Sequence, residues 1–284
     1  MGVLYGLIAA LCFGSGDFAI TLTARQRPLW PLFFSIQLYG LLVAGLAALL
    51  TGPMPQAPLS AWLLMAAVAL ANFAGTLLLY RAFAIGMLAI VSPIGSGFAV
   101  VSAVLALLGG ERLPLPVLVG AALLMAGVAV VSATGGAPGS KAAASVAGVP
   151  EAIGAAICIG VYFWAMDGLA PTLGWLWPVV VTRAVQLVGA ALALGLTRQR
   201  PLGLDHTTVP LMVAALLESA ALAAVNLGLD ATYTSTTTAL TSLYSAVSVV
   251  LAWLILRERL TPAQWAGIAV ILGGVFLVSL NPMG

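Results

Sequence analysis

From Leu29 to Thr51 the chain reads LWPLFFSIQLYGLLVAGLAALLT, with no charge anywhere, and runs of this kind recur to its end. About 20 such residues span a bilayer core as a helix. Marked off between charged, Pro-rich or Gly-rich breaks, the runs number ten, at approximately 3–23, 29–51, 60–80, 84–110, 113–133, 152–169, 172–197, 207–229, 231–256 and 260–280. Only 6% of the 284 residues are charged, against about a quarter in a soluble domain. A closed β-barrel also satisfies its backbone in lipid, but it reads as alternating segments of about ten residues; these runs are longer and continuously apolar, so helices are expected. The first run has no Lys or Arg before it and is too long for a signal-peptide core, so it is expected to be retained. A net charge of +2 without a basic cluster gives no sign of a nucleic-acid partner.

The turn Glu111-Arg112-Leu113 reappears as Glu258-Arg259-Leu260, an offset of 147 residues. The same offset pairs Gly120 with Gly267, Gly127-Val128 with Gly274-Val275, Val131-Ser132 with Val278-Ser279, Trp30-Pro31 with Trp177-Pro178, and Met65 with Met212. For the first helix of each half the best offset is 148, which pairs Gly6 with Gly154. The chain therefore reads as a duplicated five-helix unit: a first repeat at 1–133, a small-residue linker at 134–150 and a second repeat at 151–284. Five is odd, so the second copy enters the membrane from the opposite side. Inverted repeats around a midplane site are a recurrent transporter architecture.

The stretch 81–133, RAFAIGMLAIVSPIGSGFAVVSAVLALLGGERLPLPVLVGAALLMAGVAVVSA, resembles the repeat of the drug/metabolite transporter (DMT) superfamily, EamA-type. That repeat ends in a small-residue helix, an acid-Arg-Leu turn and a Gly-rich last helix. The second copy at 234–280 fits equally well, so the resemblance covers nearly the whole chain. It implies a ten-helix exporter of small metabolites or drug-like compounds, and it leaves the cargo open. The family often has an Arg in the second helix of each repeat; here Arg183 matches in the second copy, while the first has Ile36 with Gln37 beside it.

Loops after odd-numbered helices carry Arg25, Arg27, Arg81, Lys141, Arg198, Arg200, Arg257 and Arg259, and the opposite side carries only Arg112. The positive-inside rule places the basic side in the cytoplasm and both termini outside. The resemblance implies cytoplasmic termini for many relatives; the charge count is followed here, for a multi-pass protein of the cell's inner (plasma) membrane.

Ionisable groups inside a membrane are functional candidates by default. Asp17 follows Gly14 and Gly16, which leave room for a close helix approach or a ligand; the alternative is a carboxylate paired with an Arg near the helix end. Glu218 is expected mid-helix with no interface in reach. A lone carboxylate there is protonated or paired, because desolvation disfavours its charged form, and a group that takes a proton on one side and loses it on the other suits proton coupling. The alternative is a permanently neutral Glu bonded to a neighbouring helix. Arg183 cannot be neutralised and must pair or snorkel, so a structural ion pair is expected rather than carboxylate recognition. Asp167, before GLAPTLG, reads as interfacial.

Asn72, Thr76 and Tyr80 recur every four residues and share one helix face, as do Glu218 and Asn226 on the repeat-related helix. Thr241, Tyr244, Ser245 and Ser248, with Ser92 and Ser96 around Pro93, form a second repeat-related pair of stripes. Singly such residues are interhelical glue; paired between repeats, they mark the helices that line a shared central cavity. Tyr162 and Trp164 offer π faces to that cavity or belong to the interfacial aromatic belt. Pro93 either kinks its helix or starts it. Cys12 and Cys158 read as small apolar filler.

These observations predict an all-α membrane protein of ten helices in two inverted five-helix repeats around a central cavity. Its expected function is export of a small amphiphilic metabolite, an amino acid or drug-like compound, by alternating access. Asn72, Thr76, Tyr80, Trp164, Glu218 and Tyr244 are the expected substrate contacts, and Glu218 and Asp17 the expected proton-coupling groups. The rival within the class is an uncoupled facilitator. Outside it stand an intramembrane enzyme acting on lipid or metabolite, and a channel, which would show rings of like polar groups. An enzyme would want a nucleophile with a base, or a metal cluster; the single His206 has no second ligand near it and no paired Cys/His spacing exists. No cofactor, metal, catalytic residue or obligate protein partner is expected. The only Lys is Lys141, so no phosphate-binding Gly-Lys-Ser/Thr loop for ATP is present.

Overall fold

The computed structural model describes residues 2–51, 54–110, 115–133, 146–203, 205–231, 241 and 243–279. The Glu111-Arg112 turn, Lys141, most of the expected linker and the side chains of Asp167 and Asn226 lie outside the described residues. Among the described residues all regular structure is helical: α1 (Gly2–Ala24), α2 (Leu29–Thr51), α3 (Leu59–Ile85), α4 (Leu88–Gly95), α5 (Phe98–Leu108), α6 (Leu115–Ala133), α7 (Val149–Leu173), α8 (Trp177–Thr197), α9 (Thr208–Ala231), α10 (Tyr244–Leu254) and α11 (Pro262–Ser279). Among the described residues seven spans, one of them α4 and α5 together, are long and apolar enough to cross a membrane, and three shorter apolar helices accompany them. Leu46, Leu49, Leu50, Leu108 and Leu196 stand exposed on the outside of the bundle, where hydrocarbon rather than water is the compatible solvent.

Boundaries differ from expectation where a supposed breaker does not break. Arg81 was expected beyond the end of the third span, but α3 runs on to Ile85 because the Arg81 side chain reaches out to Glu151, 3.3 Å away. The helix closes at Gly86, whose N–H donates to the Ala82 carbonyl. Likewise α7 starts at Val149, inside the expected linker, and runs through Pro171 until Gly174 takes a left-handed conformation at φ 72°. The run expected at 84–110 is two helices. Pro93 lies inside α4, past its first turn, and is not the break itself. Ser96 and Gly97 tighten the chain into a turn in which the Gly97 N–H donates to the Ile94 carbonyl at 3.0 Å. The Ser96 hydroxyl donates to the Pro93 carbonyl at 2.7 Å. Every residue of α4 is buried.

Helices that are apolar all round gain little from burying one face, so small residues decide which of them approach closely. The most extensive contacts join the two halves: α6 with α11, α1 with α9, α3 with α7 and α2 with α8. In the first pair a Cβ on Gly127 would lie 2.7 Å from the Gly267 carbonyl oxygen, and one on Gly274 would lie 2.5 Å from that of Gly120. The glycines that match in the sequence thus face each other crosswise, which makes α6 and α11 antiparallel. Helices α1 and α9 are antiparallel too: Gly16 lies against Glu218, and Ala9 clusters with Ala224 and Val225.

Candidate functional site

Between these helices lies a cavity with about 80 Å³ of free space, lined from both halves. Asp17 enters it from α1, Asn72, Thr76 and Tyr80 from α3, Arg183 and Gln186 from α8, Glu218 from α9 and Tyr244 from α10. Each polar side chain sits on a helix that is otherwise apolar, because in such a helix a polar group is tolerated only toward other protein or water.

The charged groups form one cluster. Arg183, 2% exposed, donates from Nη1 to Gln37 Oε1 at 2.7 Å and holds Nη2 3.9 Å from Glu218 Oε2. Gly40 permits this placement, since a Cβ there would come within 2.9 Å of Arg183 Nε. Among the described residues Nε and Nη2 meet no acceptor in good hydrogen-bond geometry, and the Tyr80 hydroxyl lies close to the guanidinium. Asp17 accepts a hydrogen bond from Ser92 Oγ at 3.3 Å. One guanidinium therefore pairs with Glu218 while Asp17 lines the same buried space, and with all three ionised the cluster carries a charge of −1. A charge without a full partner at such a site is costly.

A neutral network stands beside the charges. Gln186 Nε2 donates to Asn72 Oδ1 at 2.7 Å and to Thr76 Oγ1 at 3.2 Å, while Thr76 Oγ1 donates to the same Asn72 oxygen at 3.2 Å. An aromatic wall completes the cavity. Phe163 stacks on Phe98 with centroids 4.7 Å apart, Phe98 lies 6.4 Å from Tyr244 at 19°, and Phe13 meets Tyr244 at 5.9 Å. The turn at Ser96–Gly97 sets Phe98 at the head of α5, within this row.

Of the residues singled out in the sequence, the cavity gathers Asp17, Asn72, Thr76, Tyr80, Arg183, Glu218 and Tyr244. Trp164 is not among the lining residues and is 42% exposed, and Tyr162 is bonded to Thr182 instead. Successive helix residues turn by about 100°, so with Ile159 and Phe163 facing the cavity, Tyr162 and Trp164 swing to either side. Sequence reasoning passed over Phe13, Phe98, Phe163 and Gln186. Gln186 had a usable signal, standing three residues after Arg183 on the same face; a Phe in an apolar helix has none. Among the described residues no three His, Cys, Asp or Glu converge as metal ligands.

Ion pairs join the halves in and near the loops: Arg25 with Glu258 at 2.7 Å, Arg27 with Asp205, and Arg81 with Glu151. Asp205, outside the helices, is held below the ordinary carboxylate range by the Thr207 hydroxyl and N–H and by Arg27. Glu258 does more than pair. Its two oxygens accept the Leu88 and Ala89 N–H groups at 3.1 and 3.0 Å, capping the first turn of α4 from the other half. Arg25 also donates to the Gly86 carbonyl at 2.8 Å.

The EamA-like transporter family matches residues 1–133 and 146–280. A protein of known crystal structure is 18% identical and superposes with a TM-score of 0.70 over 99% of this chain and 98% of its own, a likeness of fold alone. Among curated proteins nothing matches. The chain belongs to the EamA-like transporter family, within the drug/metabolite transporter superfamily; it is a multi-pass membrane protein of a transporter family, not an enzyme family.

Proposed function

We propose that this transporter exports a small amphiphilic metabolite, an amino acid or drug-like compound, by alternating access across the inner (plasma) membrane, and that protons drive it. The observation that carries the reading is the buried cluster of Asp17, Arg183 and Glu218 beside an aromatic wall. Apolar rings suit the cargo's body and the charges its polar head. About 80 Å³ is small against the roughly 300–1,000 Å³ of pockets that enclose small molecules, so cargo enters as the helices part. The architecture in this reading is ten crossings in two inverted five-helix repeats, 1–133 and 151–284, joined at 134–150. The antiparallel pairing of the matching helices α6 and α11 supports it. Each half then supplies one side of a two-fold pseudo-symmetric path, and no partner subunit is required. Both termini lie outside on the positive-inside count.

Two carboxylates against one arginine leave one negative charge that a proton can neutralise, which supports coupling through Glu218 or Asp17. Uptake into vesicles against a panel of amino acids, nucleosides and cationic drugs identifies the cargo. Glu218→Gln is expected to lose the response to a pH gradient while substrate binding persists; unchanged proton dependence would rule out coupling through Glu218, and no response to a pH gradient in the parent protein would leave uncoupled facilitation as the mechanism. No saturable transport of any cargo class would overturn the whole reading.

A further inference from the structure

The second copy of the Glu-Arg turn carries a site separate from the central cavity. From Arg257 to Leu260 exposure alternates residue by residue: Arg257 and Arg259 are exposed, Glu258 and Leu260 partly covered. Glu258 and Leu260 turn inward, Glu258 to cap α4 and Leu260 to pack against the core. Arg257 and Arg259 are left together on the outside. The alternation is set by Arg257 itself, which holds a left-handed φ of 53° in a turn closed by the Glu258 N–H to the Ala252 carbonyl at 3.2 Å. A non-glycine residue there is strained unless its surroundings fix it.

These arginines line a surface cavity of about 570 Å³ together with Trp253, Leu254, Leu260 and Trp265. Trp253 ends α10 and Trp265 begins α11, and they are 54% and 41% exposed. Exposed indoles at the ends of membrane helices sit at headgroup level. Neither arginine forms an ion pair with a described residue. Glu258, the acidic group in the lining, is saturated by Arg25 and two backbone N–H groups, with a side chain only 7% exposed. Two guanidinium groups with no ion pair among the described residues share one cavity with two exposed tryptophans and two leucines, a lining whose charge suits a phosphate and whose walls are apolar.

We propose that this cavity binds the headgroup of an anionic phospholipid, with Arg257 and Arg259 holding the phosphodiester and Trp253 and Trp265 lying along the glycerol and upper acyl chains. Arg–phosphate pairing is charge-assisted and directional. A zwitterionic headgroup brings the same phosphate with a cation that the two arginines repel, so the site discriminates by net charge. Because Glu258 stands between the two arginines in the chain, an occupied site stiffens the turn that caps α4.

The test uses the full chain in vesicles whose lipids carry brominated acyl chains, which quench tryptophan on contact. Brominated phosphatidylglycerol is expected to quench more than brominated phosphatidylcholine. The excess should disappear in R257Q/R259Q, persist in R257K/R259K, vanish in W253F/W265F and be unaffected by inorganic phosphate. Each arginine is worth about fivefold in headgroup preference. Equal quenching by the two lipids, an excess that survives R257Q/R259Q while R257K/R259K shows the same value, or relief of the excess by inorganic phosphate would overturn the assignment.

Discussion

Arg25 and Glu258, 233 positions apart in the chain, meet at 2.7 Å. The pair joins the first loop of one half to the last loop of the other, and Glu258 reaches past it to the first-turn N–H groups of α4, which have no acceptor within their own helix. Both the positive end of that helix and the guanidinium thus face a single carboxylate.

Replacing Glu258 removes acceptors from three donors, two of them backbone N–H groups at a helix start, whereas replacing Arg25 removes a partly exposed side chain that bonds Glu258 and the Gly86 carbonyl. Glu258→Ala is expected to cost about 1–2 kcal/mol, as lost helix caps do, and Arg25→Ala about 0.2–1 kcal/mol. Denaturation of the two variants in detergent measures both; a larger loss for Arg25→Ala would contradict the capping role.

Neighbouring glycines on α11 give a paired comparison. A Cβ at Gly274 would meet the Gly120 carbonyl at 2.5 Å and the Leu124 nitrogen at 2.7 Å, whereas one at Gly273 would meet nothing within 4 Å. Gly274→Ala is expected to destabilise by about 1–3 kcal/mol through overpacking against backbone. Gly273→Ala is expected to be neutral or to stabilise by up to about 1 kcal/mol through helix propensity. Equal melting temperatures for the two would refute the close α6–α11 crossing.

Arg183→Gln strips the buried Glu218 carboxylate of its cation. The expected cost is about 3–5 kcal/mol, and Arg183→Gln/Glu218→Gln should recover part of it, because the second change removes the charge left behind. Equilibrium unfolding of the single and double variants gives the coupling. Additive losses would show that Arg183 and Glu218 do not act together.

Phe163 and Trp164 are adjacent, yet only Phe163 belongs to the cavity's aromatic row. Phe163→Ala is expected to weaken cargo binding by about two- to tenfold, the worth of one aromatic pairing, while Trp164→Ala leaves it unchanged. Binding measured on the cargo identified in vesicles decides between them, and the reverse ranking would move the binding surface off the cavity wall.

Polar residues were legible because hydrocarbon penalises them. Asp17, Glu218 and Asn72 each had to face protein or water, whatever the fold, and the structure brings them to one space. The aromatic wall was not legible: Phe13, Phe98 and Phe163 look like any other apolar residue, and only the rotation of α1, α5 and α7 turns them inward. Boundaries were misread at Arg81 and Pro171 for a related reason, since a long side chain can reach the surface from within a helix and a proline near a helix end need not stop it.

The sequence by itself determined that the chain is helical, apolar on all sides and duplicated, and so to which family it belongs, because hydropathy, run length and an offset repeat are properties of the chain alone. The tertiary structure decided which faces meet. Helices without a polar face carry no instruction about their rotation, so the phase that selects Phe163 over Trp164 comes from small-residue contacts between the halves. The same packing turns Glu258 from one member of a repeated turn into the cap of a helix in the other half, a role that requires two segments distant in sequence to be brought within 3 Å of each other.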